Sequence, residues 1–130
     1  MIADKDLLSM QYARILAENA REAQKKLAGF PQEKLDQIVE HVAGEMEKHA
    51  RELAVMSFEE TDYGRWQDKL IKISFVCRSV LRGLRGMRCV GTLREDAGGN
   101  VLEVGVPLGV IVALCPSTSP VSTAIYKALL

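Results

Sequence analysis

The sequence has no net charge, no cysteine framework and no long apolar run, and each absence removes a class of protein. Seventeen basic and seventeen acidic side chains cancel, so no overall field attracts nucleic acid or anionic lipid. The three cysteines, Cys77, Cys89 and Cys115, are odd in number and widely spaced, which argues against a disulfide framework and favours a reducing cytoplasm. No stretch approaches the length of a membrane span, and Asp4 and Asp6 interrupt the N-terminal apolar residues, so we predict neither a secretory signal nor a membrane anchor.

Glycine-rich phosphate-binding motifs are also missing, since neither GxGxxG nor GxxxxGK[ST] occurs. What the sequence does contain is the stretch GVPLGVIVALCPSTSPVSTAIYK, over Gly105 to Lys127. Its apolar run, Val110 to Leu114, is typical of a strand buried in a parallel sheet. Pro116 to Pro120 follows as a hydroxyl-rich loop, and Pro120 suits the first turn of a helix. A strand, a polar loop and a helix N-terminus together favour an anion or nucleotide site, although a purely structural crossover has the same pattern.

Three helical segments precede this stretch. Leu8, Tyr12, Ile15 and Leu16 recur at helical spacing after a capping Asp4 or Asp6. A second helix is predicted from Pro31 to about Ala54, and a third from Trp66 to about Leu84, both with an apolar core face. His41, Glu45 and His49 could line up as metal ligands on the second helix, but an ordinary helix face is the better interpretation and we predict no metal site.

The third helix is basic on its opposite side. Its cationic residues could bind phosphate groups, or they could form a solvated face neutralised by glutamates elsewhere, which is the favoured interpretation. They are Lys72, Arg78, Arg82, Arg85 and Arg88. From Met87 the period becomes strand-like, and a turn at Ala97 to Asn100 predicts a β-hairpin between Arg88–Arg94 and Val101–Val106.

The loop and the helix after it closely resemble the start of the cofactor domain in the aldehyde dehydrogenase superfamily, and more narrowly in its CoA-acylating branch. The branch usually has a PxTNP-type loop followed by STxxxKAL, which CPSTSPVSTAIYKAL matches except that Ser119 replaces asparagine. The upstream stretches AREAQKKLAGFPQEKLDQIV and EETDYGRWQDKLIK are similar to the N-terminal region of the same branch. The resemblance therefore covers essentially the whole chain.

This resemblance implies an α/β parent fold with a Rossmann-type cofactor domain. The chain would supply an N-terminal helical region (1–86), a β-hairpin that reaches a partner subunit (87–107) and the truncated start of the dinucleotide-binding domain (108–130). It implies oxidation of a small aldehyde with NAD (or NADP) and transfer of the acyl group to coenzyme A. The chain alone is expected to be inactive, because the nucleophilic cysteine of the family lies in a later domain.

The resemblance also implies roles for particular residues. The cofactor-binding residues would be Pro116, Ser117, Thr118, Ser119 and Pro120, with Thr118 helping to hold the carbonyl oxygen and Lys127 near the active centre. The expected partners are the aldehyde and further copies of the chain, with neither nucleic acid nor membrane. The expected location is the cytoplasm, with a bacterial microcompartment shell as a further partner. A helical interaction, oligomerisation or shell-docking module without catalysis is the alternative.

Overall fold

A computed structural model describes residues 4–130 of the chain. It contains six α-helices in those residues: α1 Lys5–Leu27, α2 Gln32–Lys48, α3 Ala50–Thr61, α4 Trp66–Phe75, α5 Leu81–Leu84 and α6 Pro120–Leu129. A π-helical turn, Val76–Val80, joins α4 to α5, and a hairpin is formed by β1 Gly91–Glu95 and β2 Leu102–Gly105. The chain divides into two compact units, one comprising the residues up to Pro31 with Cys89–Val112, and the other comprising Gln32–Arg88 with Ala113–Leu130.

The first unit contains α1 and the hairpin. Asp4 is the residue that caps α1, because its Oδ1 accepts from the backbone N–H groups of Asp6 (2.8 Å) and Leu7 (3.1 Å). The predicted apolar stripe of α1 forms, but no residue of the helix is buried. The apolar side chains of α1 therefore stay outside the buried core of the described residues.

The hairpin forms as the sequence predicts, with slightly shorter strands. β1 and β2 pair antiparallel, with Gly91 opposite Gly105 and an irregular register between Thr92 and Arg94. Asp96 fixes the turn, since its Oδ1 accepts from the backbone N–H groups of Asn100 (2.7 Å) and Val101 (3.0 Å). Gly99 takes a positive φ of 67° there, a conformation that glycine adopts without strain.

The second unit holds the buried core. Helices α2 to α5 and α6 contribute small and branched apolar side chains, of which Ile73, at 1% exposure, is the largest that is fully enclosed. The other buried apolar residues are Ala43, Ala50, Ala54, Val76, Cys77, Leu81, Ile125 and Leu129. The predicted second helix is two helices, because the backbone leaves helical geometry at His49 (φ −96°, ψ 5°).

The predicted strand over Val110 to Leu114 does not form. The only sheet among residues 4–130 is the two-stranded hairpin, so this run has no strand beside it to accept its hydrogen bonds. A parallel strand needs such neighbours. Its side chains are accordingly exposed, Val112 by 91% and Leu114 by 87%.

No helix in the described part of the chain is long and apolar enough to span a membrane.

Candidate functional site: the loop before α6

The loop from Pro116 to Pro120 leads into α6 and is held by hydrogen bonds within the second unit. The backbone N–H of Ser119 donates to the Pro116 carbonyl (3.3 Å), and the Thr123 N–H donates to the Ser119 carbonyl (3.2 Å). Pro120 begins the helix, as its position in the sequence predicts. The loop is thus a tight turn that delivers the chain directly into α6.

Two lysines from α4 reach this loop. Lys69 is buried at 6% exposure, and its Nζ donates to the Thr118 carbonyl oxygen at 3.0 Å. Lys72 Nζ donates to Ser119 Oγ at 3.2 Å. Because Lys69 and Lys72 lie three residues apart on one helix, both ammonium groups face the same side of α4.

The N-terminus of α6 is left open by this arrangement. Ser119 occupies the N-cap position, but its side chain makes no capping hydrogen bond and bonds to Lys72 instead. Val121 and Ser122 are the first residues of the helix with backbone N–H groups, and in the described structure neither N–H has a hydrogen-bond partner. The free amides and the helix dipole add to the positive charge of the two lysines.

A groove of about 380 Å³, within the size range of small-ligand sites, lies between α4 and α6, and Lys72, which bonds to Ser119 of the loop, is one of its lining residues. Its wall is mostly apolar, with a few hydroxyl groups and one cation. It is lined by Ile71, Lys72, Phe75 and Val76 from α4 and the adjoining π-helical turn, and by Ser122, Thr123 and Tyr126 from α6. The groove therefore suits a small molecule with an apolar body and a polar end.

Sequence reasoning missed most of this groove. Ile71 and Phe75 lie four residues apart on α4, and Ser122 and Tyr126 lie four apart on α6, so each pair shares one helix face. Ile71 and Phe75 are large apolar residues outside the predicted core face. Their position outside that face was the signal in the sequence that could have indicated a second apolar surface on this helix.

The predicted site residues are not all brought together. Ser117, Thr118 and Ser119 lie in the loop beside the lysines, whereas Lys127 is exposed on α6 with its Nζ 6.0 Å from the ring centre of Tyr126. The roles predicted for these residues stay predictions. Among residues 4–130 no three His, Cys, Asp or Glu side chains are grouped as metal ligands.

Part of the basic face of the third helical segment is neutralised. Arg85 forms two hydrogen bonds with the Glu40 carboxylate, at 2.6 and 2.9 Å, and Arg78 pairs with Glu47. These two arginines are therefore engaged by glutamates of α2, as the favoured interpretation of the sequence predicts.

The cysteines differ in their surroundings. Cys77 is buried, while Cys89 and Cys115 are exposed. Burial, reinforced by the Glu47 carboxylate, raises the pKa of the Cys77 thiol, and a raised pKa disfavours the reactive thiolate. Cys77 is thus suited to the core rather than to nucleophilic chemistry.

Comparison with known proteins supports the resemblance seen in the loop. No family model matches the chain. It is 32% identical over 115 residues to the bifunctional aldehyde-alcohol dehydrogenase of Escherichia coli, covering 88% of the chain and 13% of that protein. It is 31% identical over 114 residues to the acetylating succinate-semialdehyde dehydrogenase of Clostridium kluyveri, covering 88% of the chain and 25% of that enzyme.

Solved structures agree with the sequence relatives. A probable aldehyde dehydrogenase from Listeria monocytogenes matches 97% of the chain with a TM-score of 0.93 and 47% identity. An acetylating aldehyde dehydrogenase from Geobacillus thermoglucosidasius matches 98% with a TM-score of 0.95 and 38% identity. The chain covers 28% of each of these structures.

The fold and the sequence together define part of an aldehyde dehydrogenase. Within that superfamily the chain is similar to acylating members over nearly its whole length, which confirms the resemblance predicted from CPSTSPVSTAIYKAL. The α/β class of the parent fold is confirmed as well. The chain itself spans only about an eighth to a quarter of the length of these curated relatives.

Proposed function

We propose that the protein carrying this chain is a CoA-acylating aldehyde dehydrogenase. The reaction is aldehyde + CoA–SH + NAD⁺ → acyl-S-CoA + NADH + H⁺, in which the aldehyde carbon is oxidised and the nicotinamide takes the hydride. The observation that carries the proposal is the loop from Pro116 to Pro120, which opens α6 beside two lysines and a groove. NADP is the alternative hydride acceptor.

The groove would bind the body of the aldehyde. Ile71, Phe75 and Tyr126 offer apolar surface for a short carbon chain. Thr118 lies in the exposed part of the loop, and its hydroxyl group would donate a hydrogen bond to the carbonyl oxygen. Such a donor lowers the barrier most when negative charge develops on that oxygen.

The dinucleotide fits the donors present only in part. Hydroxyl groups of Ser117 and Thr118 and the unpaired amides of Val121 and Ser122 suit polar or anionic groups of a ligand. When bound, NAD supplies the hydride acceptor. The residues of this chain would orient it from the side of the loop, and the nucleophilic cysteine would come from another part of the protein.

Assembly and location belong to the same proposal. The exposed hairpin would pair with a second copy of the protein, since a two-stranded sheet with exposed side chains gains stability from further contacts. The enzyme would act in the cytoplasm, and α1 would dock to the shell of a microcompartment where one encloses the enzyme.

The activity is tested on the full-length protein with a short aldehyde such as propionaldehyde. NADH formation at 340 nm should require both CoA and the cofactor, and mass spectrometry should detect the acyl-CoA thioester. Thr118→Val should lower kcat/KM about 100-fold, because a donor to the developing oxyanion is lost. Ser79→Ala, on the exposed side of the π-helical turn, is the matched control. If the rate of NADH formation did not depend on CoA, the acylating reaction would be refuted.

One observation favours the second candidate, a helical interaction module. None of the residues of α1 is buried, and Leu7, Met10, Tyr12 and Leu16 are more than half exposed. An apolar surface of this kind suits contact with another protein. In that case the full-length protein would bind through α1 and would produce no NADH.

A further inference from the structure

Lys69 is a charged side chain in an unusual position. Lysine is almost never fully buried without a charged partner, yet Lys69 is 6% exposed. No carboxylate in the described part of the chain forms an ion pair with it, and its ammonium group makes one hydrogen bond there, to the Thr118 carbonyl oxygen. The ammonium group is therefore compensated by the backbone of the loop.

The space around Lys69 is too small for a ligand. The void that it shares with Ser57, Lys72, Ile73, Ser119, Val121 and Ser122 is about 10 Å³, which is at the lower limit for one water molecule. A phosphate or carboxylate group does not fit there. The ammonium group is therefore placed to act on the loop itself.

Lys69 completes a clamp on one peptide group. The Thr118 carbonyl accepts from Lys69 at 3.0 Å, and the N–H of the same peptide, that of Ser119, donates to the Pro116 carbonyl at 3.3 Å. Because a peptide group is planar, bonds at both of its ends fix the orientation of the whole plane. This orientation fixes the Cα atoms of Thr118 and Ser119, which lie in the plane, and so constrains both the Thr118 side chain and the backbone entering α6.

We propose that Lys69 is a positioning residue for the aldehyde reaction. Its ammonium group holds the Thr118–Ser119 peptide plane, so that the Thr118 hydroxyl and the open end of α6 face the carbonyl oxygen of the substrate. This inference rests on the proposed function. Lys72, which bonds only to the Ser119 side chain, is not part of the clamp on the peptide group.

The test uses three variants of the full-length protein. Lys69→Met keeps the length and the apolar stem but removes the charge and the donor. Lys69→Arg restores a charged donor, and Lys34→Met makes the same change at an exposed lysine of α2. Thermal unfolding of each variant shows whether the fold survives.

Hydrogen exchange measures how firmly the loop is held, and it does so independently of enzyme activity. In Lys69→Met, the amide of Ser119 should exchange at least about 10-fold faster, because its peptide plane is no longer held. Lys69→Arg should recover part of the protection, and Lys34→Met should match the wild type. Unchanged exchange at Ser119 in a folded Lys69→Met protein would overturn the proposal.

Kinetics then connect the clamp to the reaction. With the loop loosened in Lys69→Met, kcat should fall about 10- to 100-fold, while Lys34→Met should keep the wild-type kcat. A change confined to KM, with kcat as in the wild type, would overturn the positioning role. If the wild-type protein forms no acyl-CoA, the proposed function fails, whereas the exchange data still decide whether Lys69 holds the loop.

Discussion

The ion pair between Glu40 and Arg85 ties α2 to the chain just after α5. The hydrogen bonds from Arg85 hold the pKa of the Glu40 carboxyl below its ordinary value of 4.5, and the same contact raises the pKa of Arg85. A carboxyl whose pKa is lower in the folded state stabilises the fold above its ordinary pKa. That contribution disappears as the pH falls through the pKa of the folded state.

Glu40→Gln should therefore destabilise the protein in a pH-dependent way. At pH 7 its urea midpoint should lie slightly below that of the wild type, since both side chains are exposed and screened by solvent. The difference should shrink below pH 4.5 and vanish at lower pH, where Glu40 is protonated. Glu59→Gln, on an exposed part of α3, is the control. A difference that grows towards low pH would contradict this account.

For the hydroxyl-rich loop, the sequence could predict the turn but not the side chains that form hydrogen bonds with it. The pattern from Pro116 to Pro120 predicted a turn before a helix, and this turn is present. That Lys69 and Lys72 reach it could not be predicted, because they lie 49 and 47 residues from their partners in the loop. Such contacts depend on how α4 and α6 pack.

At the scale of elements, two glycines differ in the space that surrounds them. A Cβ atom added to Gly105, in β2, would collide with the carbonyl group of Cys89, whereas one added to Gly44, in α2, would meet nothing within 4 Å. Gly105 is thus needed for close approach of the backbone. Gly44 is an ordinary weak point in a helix.

Alanine at these two positions should act in opposite directions. Gly105→Ala should loosen the hairpin, because a backbone carbonyl cannot move aside cheaply, and amides of β1 and β2 should then exchange faster. Gly44→Ala should stabilise the protein by about 0.5–1 kcal/mol, since alanine has the better helix propensity. Circular dichroism with urea measures the second effect. Equal protection of the hairpin in wild type and Gly105→Ala would contradict the first.

Helix positions were largely predictable because their signals are local. Capping by Asp4 and apolar spacing placed α1, and Trp66 was correctly predicted as the start of the third segment. The break at His49 was not predicted, since α2 and α3 have a continuous apolar pattern in the sequence. The strand over Val110 to Leu114 was wrong for a related reason, because a strand exists only where another strand pairs with it.

At the scale of the whole molecule, we expect the hairpin to bury exposed apolar side chains against a second copy of the chain. Leu102 and Val104, 56% and 53% exposed, lie on one face of β2, with Glu103 between them on the other. Apolar residues on an exposed two-stranded sheet favour pairing with another chain.

Replacing both apolar residues should therefore reduce association. The full-length Leu102→Lys/Val104→Lys variant should sediment as a smaller species than the wild type at the same concentration, because charge at this face opposes pairing. Glu103→Lys changes the charge of the opposite face and serves as the control. Identical sedimentation of wild type and double variant would rule out the hairpin as the assembly surface.

The sequence by itself determined what depends on neighbouring residues: most of the helix positions, the turn at Ala97 to Asn100, and the loop CPSTSP, whose order of residues indicated the acylating branch. Tertiary structure alone decided which lysine is buried, where the groove lies, and that the apolar faces of α1 and Val110 to Leu114 remain exposed. The physical reason is the range of the interactions. Caps and turns form within a few residues, whereas burial and the clamp on Thr118 need helices distant in the chain to pack together.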